Sequence, residues 1–186
     1  MNIFVLDENP VMAAKLQCDK HIVKMILESG QMLCTAHRML DGTMEMRKSK
    51  SGKRMVKYFK LEDEAKEDLF YKAVHHGHPC TVWTMESKDN YDWHYNHFLA
   101  LCDEFRYRYG KTHETDRKLR YALVDAPKNI PTIPMTQFKL AMKSNPECMF
   151  PEDPVKSYQL YYQTKQDRFQ MAWTRRQIPE WFNVRP

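Results

Sequence analysis

Residues 9–40, NPVMAAKLQCDKHIVKMILESGQMLCTAHRML, decide how this chain is read. Asn9 followed by Pro10 is a strong helix start, an N-cap with proline at the first helical position, where its missing N–H costs nothing. Beyond Pro10 the stretch has no further proline and a single glycine, Gly30. Ile22, Val23, Ile26, Leu27 and Leu33 fall on one side at helical spacing, so one amphipathic helix is expected from Pro10 to about residue 40.

Upstream, residues 2–6 alternate like a strand but are too short to build a sheet alone. Downstream the pattern stays helical. Residues 61–76 open with acids that suit a helix N-terminus. Residues 81–109 form one or two helices carrying Trp83, Tyr91, Trp93, Phe98, Leu99, Leu101 and Phe105, with Gly110 as the stop. A shorter helix is expected over residues 116–123. Six of the ten prolines (Pro127, Pro131, Pro134, Pro146, Pro151, Pro154) crowd into residues 126–154. That stretch reads as an extended connection with one short helix at 137–142. A last helix over residues 154–173 and an aromatic tail, IPEWF, close the chain. The expected architecture is all-α, one compact helical domain over residues 1–186. It has an extended N-terminal segment and a proline-rich connection before the last helix.

The chain has 186 residues, 42% of them hydrophobic, which is enough to bury a core. No apolar run approaches the roughly 20 residues of a membrane span. The opening MNIFVLDENP lacks the basic region and cleavage site of a secretory signal. Five scattered cysteines without a C-x-x-C pair read as reduced thiols, so a cytoplasmic protein is expected. A net charge of +5 suits a polyanionic partner. The charge concentrates in residues 46–60, where Arg47, Lys48, Lys50, Lys53, Arg54, Lys57 and Lys60 stand without an acid beside Tyr58 and Phe59. This reads as a basic loop for phosphate contact, against the plainer reading of a solvated, mobile connection.

On the first long helix His21 and Glu28 lie seven residues apart and therefore nearly eclipsed, with Gln17, Lys24 and Gln31 on the same stripe. An imidazole and a carboxylate so aligned can share one cleft. The plainer alternative is a solvated face with an i,i+4 Lys24–Glu28 pair, worth only a few tenths of a kcal/mol. Two other readings of the side chains compete. His75, His76, His78 and Cys80, with Cys18, His21, His94 and His97, are zinc-type ligands, but their spacing matches no known finger and no metal is expected. Trp83, Tyr91 and Trp93 line either a base pocket or the core. Walker, Rossmann, kinase and G-x-S-x-G signatures are absent, so phosphoryl transfer, dinucleotide redox and serine hydrolysis lack support.

The run Asp19-Lys20-His21 followed by Glu28 resembles the D-x-H…E arrangement of the pyrimidine-dimer DNA glycosylases, the phage endonuclease V-like family. Gly77-His78-Pro79 before an aromatic helix that ends in Arg106-Tyr107-Arg108-Tyr109-Gly110 is similar to that family's second segment. The likeness covers roughly the first 110 residues. The chain is also similar to phage and bacterial proteins that begin NIFVLD and continue CDKH. The family resemblance implies a small all-α enzyme, needing no cofactor or metal, that acts on double-stranded DNA. It further implies a monomer with no obligatory protein partner.

In the family an N-terminal α-amine attacks the sugar carbon bearing the damaged base. Such amines titrate at about 7.7–8.0, so a usable fraction is neutral. Carried over by position, the nucleophile is the Met1 amine, since Asn2 is too bulky for the initiator to be removed. Glu28 is the carboxylate, and His21 contacts DNA or shuttles protons. Asn2, Lys24, Gln31, Arg47, Lys48, Lys50, Lys53, Arg54, Lys57 and His78 are the expected nucleic-acid contacts. Leu27 stands where the family has an arginine, which removes one DNA contact.

Overall fold

The computed structural model describes residues 1–49 and 51–185. Seven α-helices run through the described residues: α1 (Pro10–Lys15), α2 (Asp19–Asp41), α3 (Glu64–Leu69), α4 (Pro79–Glu86), α5 (Lys88–Tyr109), α6 (Glu114–Leu119) and α7 (Pro154–Gln163). Two 3-10 turns, Pro146–Cys148 and Thr164–Asp167, flank α7. The 23-residue α2 is the axis of the fold, packing against α4, α5 and α6, while α1 lies on α5.

The chain is not all-α; helices dominate a mixed fold. Strands β1 (Thr43–Lys48) and β2 (Met55–Lys60) pair antiparallel, in register from Thr43 with Lys60 to Lys48 with Met55. The expected basic loop is therefore mostly a β-hairpin. Ser49 N–H donates to Arg54 O at 2.7 Å, and Gly52 takes φ 70°, a conformation that favours glycine, to turn the chain. The period-2 signal is present but carried by methionine and charge rather than by Val or Ile. Glu45, Arg47, Val56 and Tyr58 face inward, while Met44, Met46, Lys48, Met55 and Lys57 face out. Lys50 lies outside the described residues.

The single helix expected from Pro10 to residue 40 is broken. Asn9 does cap it, accepting from Val11 and Met12 N–H. At Cys18, however, ψ is 164° and the backbone N–H donates to the Tyr162 hydroxyl at 2.8 Å rather than up the helix. Tyr162 is 144 residues away, so no local pattern announces the break. The stretch 61–76 is helical only over α3, because the buried Arg38 guanidinium gathers the carbonyls of Phe59, Glu67, Phe70 and Tyr71. Residues 137–142 form no helix: the Tyr158 hydroxyl donates to Lys139 O and accepts from Ala141 N–H. The last helix stops at Gln163 and its 3-10 extension, short of Trp173. Gly110 ends α5 at φ 65°, as its position implies.

The N-terminal segment belongs to no sheet yet is buried from Asn2 to Leu6. Side chains take the place of a partner strand. Ile3 O accepts from Gln17, Leu6 O accepts from Gln159, and Phe4 N–H donates to the Asn2 side chain. Gln17, buried on the polar stripe of the sequence, also donates to His97 Nε2, whose Nδ1–H in this tautomer reaches Pro10 O at 2.9 Å. Val23 and Leu27, expected in the core, are 43% and 41% exposed. The buried face of α2 is thus rotated toward His21, Met25 and Ser29 by the N-terminal segment lying on it. Among the described residues, no helix is long and apolar enough to cross a membrane.

Candidate functional site

The N-terminus runs into the middle of α2. The Met1 amine is 3.5 Å from Glu28 Oε2, and the Asn2 N–H donates to the same oxygen at 3.1 Å. The other carboxylate oxygen pairs with Lys24 at 3.2 Å, the i,i+4 pair of the sequence. The Glu28 side chain is only 12% exposed, so this is a largely desolvated carboxylate meeting two cations and a backbone donor. Fixing it takes two elements: α2 supplies the acid, and the side-chain-stitched N-terminal segment delivers the amine.

His21 lies one turn before Lys24 and stacks on Phe4, with ring centroids 4.6 Å apart. Its Nδ1 is 2.7 Å from the Tyr162 hydroxyl. That hydroxyl also accepts the Cys18 N–H; assigning its own hydrogen to Nδ1 puts the imidazole proton on Nε2. Burial, helped by the nearby charges of Lys24 and Lys165, pushes the His21 imidazolium down to about 3. At neutral pH His21 is therefore an uncharged N–H donor.

Met1, Asn2, Phe4, His21, Lys24 and Glu28 line one cleft of about 200 Å³. Its other wall comes from α7 and beyond: Tyr161, Lys165, Arg168 and Phe169. The cleft thus has three basic side chains, one carboxylate and a rim of aromatic rings, a composition suited to a flat ring attached to an anion. A larger hollow of about 630 Å³ beside α1 and α5 has its Glu104 and Arg176 already paired with each other.

Of the residues singled out in the sequence, the structure gathers Met1, Asn2, His21, Lys24 and Glu28. Asn2 is buried and engaged internally, its side-chain amide donating to Ala141 O at 3.2 Å, which makes it an anchor of the N-terminal segment. Gln31 does not line the cleft. His78 caps α4 through Nδ1 and lies near the N-terminal amine. Burial and then the amine's charge depress its imidazolium. Asp19, of the Asp-Lys-His run, is structural, accepting from Arg108 and from Thr174 and so tying α2 to α5 and the C-terminal segment.

The hairpin cations stand elsewhere. Glu28 is separated from the start of the hairpin by about 20 Å along α2 at 1.5 Å per residue. Arg47 pairs with Glu45 and lies over the Tyr58 ring, while Lys48, Lys53, Arg54 and Lys57 are exposed. Trp83, Tyr91 and Trp93 are core residues at 1%, 0% and 8% exposure, and Trp83 meets Trp93 edge-on, so they line no base pocket. Among the described residues no three His, Cys, Asp or Glu side chains are grouped to hold a metal ion.

The cleft residues not chosen from the sequence are Phe4, Met25, Tyr161, Lys165, Arg168 and Phe169. The last four carried a signal, since the spacing i, i+4, i+7, i+8 places them on one side of a helix-like turn. No protein-family model, curated protein or solved structure matches the chain.

Proposed function

We propose that the cleft carries out amine chemistry on a nucleotide sugar, as a DNA glycosylase with associated lyase activity acting on damaged or modified pyrimidines. The observation that carries this reading is the α-amine of Met1 held 3.5 Å from a largely buried carboxylate. It is supported by the cleft's cations and rings, which suit a sugar-phosphate and a base.

The Met1 nitrogen lone pair attacks C1′ of the damaged nucleotide as the C1′–base bond breaks, and the bond's electron pair leaves with the base, which picks up a proton. Glu28 takes the proton released by the amine and stabilises positive charge on the sugar. Returned to O4′, that proton lets the C1′–O4′ bond open and gives the imine. Loss of the C2′ proton then expels the 3′-phosphate with its electron pair, and water hydrolyses the imine to free the amine. Neutral His21 donates a hydrogen bond to the sugar or phosphate, and Lys24 holds a phosphate. C1′ is shielded inside a stacked duplex, so the reaction needs a flipped or distorted nucleotide. The hairpin, some 20 Å along α2, meets the backbone about six base pairs away at 3.4 Å per step.

The test mixes untagged protein with ultraviolet-irradiated or unirradiated duplex DNA in the presence of borohydride and a chelator. A reduced adduct on the Met1 peptide, formed with irradiated DNA, is the expected result. Salt-sensitive binding with no adduct would replace this reading with a non-catalytic nucleic-acid-binding protein.

A further inference from the structure

We infer that Lys165 is a second imine-forming amine in this cleft, placed to capture the aldehyde of an opened sugar phosphate. The inference rests on reading the cleft as a site for sugar chemistry, but it draws on different residues and has its own test.

Lys165 follows α7 in the 3-10 turn Thr164–Asp167, and the residue is only 6% exposed. Its Nζ lies 3.3 Å from the centroid of the Tyr161 ring, and both residues line the same cleft as Met1 and Glu28. Among the described residues no carboxylate comes within 4.0 Å of that nitrogen, whereas the Met1 amine and Lys24 each have Glu28. The side chain is largely buried while its ammonium opens into the cleft beside a ring face and no carboxylate, so the charge is partly desolvated and weakly supported. The groups around it make this worse. Arg168 from its own segment opposes its charge, and Lys24 from α2 does so to a smaller extent; Cys148 favours it more than Lys24 opposes it, and His21, which also shares the wall, is neutral. Burial first, then Arg168, pulls the Lys165 ammonium down to about 8.

Desolvation next to other cations is the established way to make a lysine nucleophilic near neutral pH. The chemistry is balanced without any added oxidant or reductant. The Nζ lone pair adds to the carbonyl carbon, a proton moves to the oxygen, and water leaves to give the imine. Arg168 and Lys24 favour a substrate that carries a phosphate. Once water has hydrolysed the Met1 imine, capture of the freed aldehyde by Lys165 would keep the opened sugar in the cleft.

The probe is D-ribose 5-phosphate with cyanoborohydride, using the full-length protein and no DNA, followed by peptide mapping across pH 6–10. Lys165 is expected to be reduced onto the sugar roughly tenfold faster at pH 8 than the exposed Lys53 and Lys57, because a far larger fraction of it is neutral there. The pH profile should have a midpoint near 8. Labelling of Lys165 at the rate of the exposed lysines, or labelling of Met1 alone, overturns the inference while leaving the Met1 reaction intact. Lys165→Arg, which keeps the charge but not the nucleophile, should abolish the fast-labelled peptide. Because the wild-type map is itself decisive, a variant that fails to fold does not blunt the test.

Discussion

Replacing Glu28 with glutamine changes one oxygen to an amide nitrogen and removes one charge from the centre of the cleft. Glu28 Oε2 is 3.5 Å from the Met1 amine and accepts the Asn2 N–H, while Oε1 pairs with the 63% exposed Lys24. At 3.5 Å the gross attraction between amine and carboxylate is about 5 kcal/mol at an effective dielectric of 20, most of it offset by desolvation. A glutamine oxygen can still accept the Asn2 N–H, so the folded state loses about 1–2 kcal/mol, the difference between a charged and a neutral acceptor. At roughly 2–4 °C per kcal/mol for a chain of this size, Tm should fall by no more than about 8 °C. Turnover should suffer far more. Without a base to accept the amine proton, single-turnover trapping on irradiated DNA is expected to slow by about 10²–10⁴-fold. DNA affinity should hold or rise, since a negative charge leaves a basic cleft. The assay is borohydride trapping against time, run beside a thermal melt and a binding titration. Wild-type trapping by a folded E28Q variant would refute the role given to the carboxylate.

Acid should unfold the protein through its buried histidines: His21 is pushed down to about 3, and His37 and His97 to about 4, all mainly by burial. Since the unfolded chain binds protons below about 6.5 and the folded chain does not, stability falls as pH falls through that window. At pH 5 the three together should cost about 6 kcal/mol, visible as a steep drop in the urea midpoint between about pH 6.5 and 4; a flat profile would count against their burial. Gly30→Ala should destabilise by about 1–3 kcal/mol in a urea melt, because its Cβ would come 2.7 Å from Thr115 Cγ2 and 3.2 Å from Leu119 Cδ1, where α2 meets α6. Neutralising Lys53, Arg54 and Lys57 together should flatten the salt dependence of DNA binding by up to about 0.9 for each phosphate they neutralise, with the trapped residue unchanged. An unaltered slope would remove the hairpin from the interface.

How far the sequence can be read depends on the range of the forces involved. Asn9-Pro10 and Gly110 are legible because a cap and a left-handed stop are decided within a turn of the helix. The Lys24–Glu28 pair is legible for the same reason. The hairpin is not, because charge dominates its composition, although its inward Val56 and Tyr58 alternate as a strand requires. The shortened α3 is hidden because a single buried arginine, Arg38, draws the carbonyls that would otherwise have continued the helix. In the site, the α2 stripe is half of the answer, and the other half comes from residues 161–169, more than 130 positions away.

By itself the sequence determined a helix-rich chain with a histidine and a carboxylate on one stripe of its main helix, because helical periodicity aligns residues seven apart whatever surrounds them. Only the tertiary structure decided that this stripe faces a cleft. Tyr162 breaks the first helix at Cys18, the side chains of Gln17 and Gln159 hold the N-terminal segment against α2, and the segment after α7 closes the other wall with Lys165 and Arg168. Each of these interactions joins residues beyond the reach of one helical turn, most of them more than a hundred positions apart. Their energies exist only once burial makes an unpaired backbone group or an unpartnered charge expensive, and a sequence pattern does not record that condition.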